Sequence, residues 1–138
     1  MTFTQKETMY LKELKSQEEL CIEKYGKYAA DASDSELKNL FTSIRSTEQQ
    51  HLATVNSYLG ESSPLQSAPI PETSACAPSD KFLCQDALSM EKHVSSVYDT
   101  GIFEFSDPSV RQKLNQIQTD EQKHGERIYQ YMSQNGMY

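Results

Sequence analysis

The segment GESSPLQSAPIPETSACAP, residues 60–78, holds four of the chain's five prolines. It forms no helix of its own, because proline lacks a backbone donor and clashes with the preceding turn. So long a connection is unusual in a chain of 138 residues and needs a structural reason. Outward from it, glycine and proline become sparse. Two long segments precede it, from about residue 4 to 31 and from about 35 to 59, separated by ASDS. Two follow, one starting near Ser79 or Asp80 and one after SDPS at 106–109. A helix of about 26 residues is roughly 40 Å long, and about 19 extended residues reach roughly 60 Å. The linker can therefore run the full length of a bundle. The expectation is an all-α fold in one domain, residues 1–138, with a helical hairpin at 1–59, a crossover linker at 60–78 and a second hairpin at 79–138.

Helix boundaries carry their own signals. Ser33 with Glu36 three places on predicts a capping box at the start of helix 2. Asp107 and Pro108 suit the cap and first position of helix 4. Apolar residues recur in steps of four and three within each segment. Leu11, Leu14, Cys21, Tyr25, Tyr28 and Ala32 form the first stripe, and Leu37, Phe41, Ile44, Val55 and Tyr58 the second. Cys84, Ala87, Val94, Tyr98, Gly101 and Phe105 form the third; Val110, Leu114, Ile117, Ile128 and Tyr131 form the fourth. Such stripes face the centre of a bundle. The residues that break them are Glu18, Glu48, His51, Glu91, Glu121 and His124, so every helix carries a glutamate in its inward seam.

A fixed offset of 73 residues relates the two halves. It takes Glu18 to Glu91, Tyr25 to Tyr98, Glu48 to Glu121, His51 to His124 and Tyr58 to Tyr131. One hairpin therefore occurs twice, with a pseudo-twofold axis between the copies. Two of the chain's three histidines stand three residues after a glutamate, in STEQQH (46–51) and TDEQKH (119–124). That spacing puts both side chains on one helix face. Burying an uncompensated carboxylate costs several kcal/mol, and four together also repel one another. No lysine or arginine occupies a stripe position to neutralise them. Two divalent metal ions would supply four positive charges, with the imidazoles completing the coordination. One glutamate from each of two helices plus Glu-x-x-His from the other two is the arrangement of dimetal carboxylate bundles.

Thirteen basic against twenty acidic residues give a net charge of −7, and no Lys/Arg run is present, which argues against nucleic acid or an anionic membrane as partner. No apolar run approaches the roughly 20 residues of a membrane span, and MTFTQKETMY lacks the layout of a signal peptide. A cytoplasmic location is expected. Three cysteines without Cys-x-x-Cys suit reduced thiols. Cys21 is expected to fill core space, and His93, off the stripe, to lie on the surface. Glu19 competes with Glu18 as the helix-1 ligand, but the offset takes it to Lys92 and so selects Glu18.

The six-residue pattern resembles the ferritin-like superfamily, and its rubrerythrin-type branch in particular. The resemblance implies a ferritin-like four-helix bundle holding two iron or manganese ions, with Tyr25 and Tyr98 supporting the ligands. It implies oxygen or peroxide chemistry at a non-haem di-iron centre. The chain departs from a rubrerythrin in lacking a rubredoxin Cys-x-x-Cys module and in having Val94 where a further carboxylate would stand. The stretch DPSVRQKLNQIQTDEQKHGERIYQYMSQNGMY, residues 107–138, is similar to the spore coat F family. That likeness implies a rival role, a structural coat protein that keeps the bundle for assembly without redox activity. Metal ions are the expected small partners, and a second copy of the chain or coat proteins the macromolecular ones.

Overall fold

Four helices, α1 (Gln5–Asp31), α2 (Ser35–Leu59), α3 (Asp80–Glu104) and α4 (Pro108–Gln134), make up the computed structural model, which describes residues 2–62 and 69–138. Among the described residues there is no strand, and the architecture is the expected all-α four-helix bundle. α1 packs on α2 and α3 on α4, while α1 also meets α3 and α2 meets α4.

The direction of each helix follows from contacts at the two ends. Phe3 packs edge-on against Tyr58 at 5.9 Å and Phe105 at 6.0 Å, so the start of α1, the end of α2 and the α3–α4 turn share one end. At the opposite end, the backbone N–H groups of Ser33 and Asp34 donate to the Asp80 carboxylate at 2.7 and 3.1 Å. α3 thus begins beside the α1–α2 turn, a bundle length away from the end of α2. The crossover spans that length as its reach allows. Residues 63–68 of it lie outside the described residues. Its later part lies along α1: Thr73 Oγ1 donates to the Ala30 carbonyl at 2.6 Å, and Ser74 N–H to Asp31 Oδ1 at 2.8 Å.

Caps follow local chemistry. α4 begins as expected, with Asp107 accepting from Ser109 N–H at 2.7 Å and Pro108 in the first turn. The start of α2 differs. Its cap is Asp34, which accepts from Glu36 N–H at 3.3 Å, and not the predicted Ser33. Asp80 already engages the Ser33 N–H that a capping box would have given to Glu36. A full capping box instead opens α1, where Thr4 and Glu7 bond reciprocally at 2.9 and 3.1 Å. Gly60 ends α2 in the left-handed region at φ 73°, which a side chain would strain.

The stripes face inward as their spacing requires. Leu11, Leu14, Leu37, Phe41, Ile44, Leu114 and Ile128 are fully buried; only Tyr58 of the stripe residues is half-buried, against Phe3. Each large apolar side chain so removed from water contributes about 1.5–3 kcal/mol. These apolar layers sit towards both ends, and the polar stripe residues occupy the layer between them.

Candidate metal centre

Glu18, Glu48, His51, Glu91, Glu121 and His124 all meet in the core, none more than 4% exposed. They reach it because each occupies a stripe position of its own helix, and the antiparallel pairing brings the four helix middles to one level. They form two overlapping groups whose donor atoms lie within 4.8 Å of one another. One is Glu18, Glu48, His51 and Glu121; the other is Glu48, Glu91, Glu121 and His124. Glu48 and Glu121 belong to both groups, while Glu18 with His51 and Glu91 with His124 each belong to one.

The geometry repeats the sequence offset. His51 Nδ1 lies 3.6, 3.5 and 3.2 Å from oxygens of Glu18, Glu48 and Glu121. His124 Nδ1 lies 3.4, 3.0 and 3.8 Å from oxygens of Glu91, Glu48 and Glu121. The two imidazoles stack at 6.2 Å. Tyr98 Oη donates to Glu18 Oε1 at 2.6 Å, and Tyr25 Oη donates to Glu91 Oε1. Each tyrosine thus crosses from one half of the repeat to orient a glutamate of the other.

One contact breaks the symmetry. His51 Nε2 donates to Asp120 Oδ2 at 2.9 Å. The offset takes Asp120 back to Thr47, so His124 has no counterpart carboxylate at that position. The Asp120 contact fixes the ring of His51 so that Nδ1 faces the carboxylates, the orientation seen in metal-ligating histidines. Sequence reasoning missed Asp120 because it is half-exposed, stands one place off the stripe and has no repeat partner.

The electrostatics follow from burying four carboxylates around two imidazoles. Burial first, then the Glu48 charge, raises the Glu18 carboxyl well above its usual range. Burial followed by Glu121 pushes Glu91 up to about 9. Burial alone would raise Glu48 too, but Glu18 and both imidazoles outweigh it and hold Glu48 well below the usual range. For His124 burial disfavours the charged ring, yet Glu121, Glu48 and Glu91 prevail and raise it to about 11; His51 is raised for the same reason. In the metal-free protein the histidines are therefore the counter-cations that lysine and arginine do not provide.

They do not complete the site. Eight buried atoms of the six residues have no hydrogen-bond partner: both oxygens of Glu48 and of Glu121, one each of Glu18 and Glu91, and both Nδ1 atoms. Buried polar atoms are ordinarily paired, so this convergent set of carboxylate oxygens and imidazole nitrogens is chemically suited to holding a cation. Oxygen and imidazole donors in this ratio fit iron or manganese. Glu19 and His93 are exposed, as expected of non-ligands. Cys21 is buried beside the site, and burial, then Glu48, raises its thiol and keeps it protonated. Cys76 is exposed, Cys84 buried, and all three thiols are free.

The family profile described as the Coat F domain matches residues 79–138. An uncharacterized protein, YusN, of Bacillus subtilis strain 168 is 33% identical over 70 residues, covering 51% of this chain and 62% of its own length. The chain therefore spans less than two thirds of that relative. No solved structure matches. The half of the bundle formed by α3 and α4, which supplies Glu91, Glu121 and His124, is thus similar to the Coat F domain.

Proposed function

We propose that this protein is a spore coat component of the coat F kind. The match over 79–138 supports this reading, since it takes in both helices of the second hairpin and the turn between them. The acidic balance fits a protein that meets other proteins or cations and not nucleic acid. Detection of the chain in the coat fraction of purified spores is the expected result; its absence from that fraction would overturn the assignment.

A second reading concerns the core and rests on the two overlapping groups with their eight unpartnered atoms. The bundle holds two iron or manganese ions, in a ferritin-like manner. Glu18 and His51 would hold one, Glu91 and His124 the other, with Glu48 and Glu121 between them. Such ions supply reversible one-electron chemistry towards oxygen or peroxide. The chain's own part is positioning. Tyr25 and Tyr98 fix the carboxylate rotamers, Asp120 fixes the His51 tautomer, and the apolar layers above and below exclude water. Binding requires the imidazoles and the carboxyls of Glu18 and Glu91 to lose their protons, so affinity rises with pH. Addition of Mn²⁺ to chelator-treated protein should raise the melting temperature of the native chain and leave a Glu48→Gln/Glu121→Gln variant unchanged. An equal response in both would remove the dimetal reading and leave the coat assignment standing.

A further inference from the structure

We propose that divalent cations reach this centre through a groove between α3 and α4, and that the matching face between α1 and α2 is closed. The inference rests on the dimetal reading. A groove of about 580 Å³ runs between α3 and α4, and Glu91 and Glu121 lie at its inner end. Both carry oxygens without hydrogen-bond partners. They keep 4% and 1% of their surface open to solvent, whereas Glu18 and Glu48 keep none. Asp99 and Glu126 also line the groove, against one lysine, Lys92. Carboxylates arranged from mouth to floor draw a hydrated cation inward and offer replacements for its water ligands.

The internal repeat supplies the contrast. Ser95, Gln118 and Gly125 line this groove; the offset places Ile22, Arg45 and Leu52 at the same stations of the first hairpin. There the three larger side chains, joined by Pro69 and Pro71 of the crossover, line a smaller depression of about 360 Å³. None of the six central residues lines it. Gly26 lies beneath Arg45 and the crossover: a Cβ there would stand 3.3 Å from Arg45 Nε, a tight contact, and 3.6 Å from Pro71 Cδ, an ordinary one. At Gly125, by contrast, a Cβ would meet Leu88 at 3.9 Å, an ordinary contact that leaves room for a side chain.

Gly125→Leu installs in the groove the residue that stands at position 52. Rapid mixing of metal-free protein with Co²⁺, followed by the growth of its visible absorption, measures loading; elemental analysis after equilibration measures capacity. Gly125→Leu should load about tenfold slower or more, at unchanged final stoichiometry. Asp99→Asn/Glu126→Gln, a surface change that does not disturb packing, should load roughly threefold to tenfold slower at low salt, the difference shrinking as salt is added. Glu23→Gln, on the α1/α2 depression, should load at the native rate. Native loading rates in the charge variant, or equal slowing in Glu23→Gln, would overturn the access route even if Gly125→Leu fails to fold. If the native chain takes up no Co²⁺ at all, the dimetal reading falls first and the route falls with it.

Discussion

The two hairpins are copies in their central glutamates and histidines and differ in what surrounds them. Both place a glutamate on one helix and Glu-x-x-His on the next, and both send a tyrosine across to the other's glutamate. Among the described residues, His51 of the first half has a carboxylate at Nε2, Asp120 of the second half, and the offset gives His124 no equivalent of it. The described part of the crossover lies against the first half. The charged centre is alike in the two halves, while the outer faces differ. A shared centre in unlike walls should show equal effects for mutations inside and unequal ones outside.

The largest effect is expected at the shared pair. Glu48→Ala and Glu121→Ala should each abolish most metal binding, to a similar degree, because each removes a ligand from both groups. Glu18→Ala and Glu91→Ala should each cost about one ion, and Glu19→Ala and His93→Ala none. Metal content of the purified variants checks this. Loss in Glu19→Ala with retention in Glu18→Ala would show the α1 register to be wrong.

Next comes the asymmetric carboxylate. Asp120→Asn should weaken the Glu18/His51 side by about 10- to 100-fold, while Thr47→Ala leaves the Glu91/His124 side unchanged. A Mn²⁺ titration should then resolve two unequal steps where the native chain shows closer ones. Equal titrations in the two variants would make the Asp120 contact incidental.

Metal-free protein should lose stability as pH rises. Glu91, raised from 4.5 to about 9, and His124, raised from 6.5 to about 11, both leave the folded state holding more protons than the unfolded one. Stability then falls with rising pH through those windows, so the melting temperature should be higher near about pH 5.5 than near about pH 8. The lowered Glu48 acts in the opposite sense only as pH falls through the acid range, outside this interval. Mn²⁺ reverses the trend, because it binds deprotonated ligands in the folded state. Melting curves with chelator and with Mn²⁺ should slope in opposite directions.

The smallest expected effect is a test of equality. Tyr25→Phe and Tyr98→Phe each remove one hydrogen bond to a glutamate, and each should destabilise by about 1 kcal/mol in denaturant unfolding of the metal-free chain. A difference of several kcal/mol between them would break the pseudo-twofold symmetry at the centre itself.

Most of the bundle was legible because its determinants are periodic or local. The stripes, the 73-residue offset and the proline-rich linker all stand in the primary sequence, and together they specify helix faces, pairing and crossover. The six central residues were found for the same reason, as polar breaks in an apolar period. What escaped notice depends on contacts between distant residues. Asp80 takes the Ser33 N–H across 47 positions and moves the α2 cap to Asp34. Asp120 meets His51 across 69 positions, with nothing in the repeat to mark it. Closure of one face requires the path of the crossover along α1, which no pattern in residues 60–78 reveals.

On the dimetal reading, six buried residues in two overlapping groups hold two ions at one centre. Metal content after purification without chelator, followed by anaerobic Fe²⁺ titration of the chelator-treated chain, tests it most directly. About two transition-metal ions per chain, restored on titration and released together in Glu48→Ala, is the predicted result. A content below about a tenth of that, with no Fe²⁺ uptake by a chain that remains helical and folded, would contradict it.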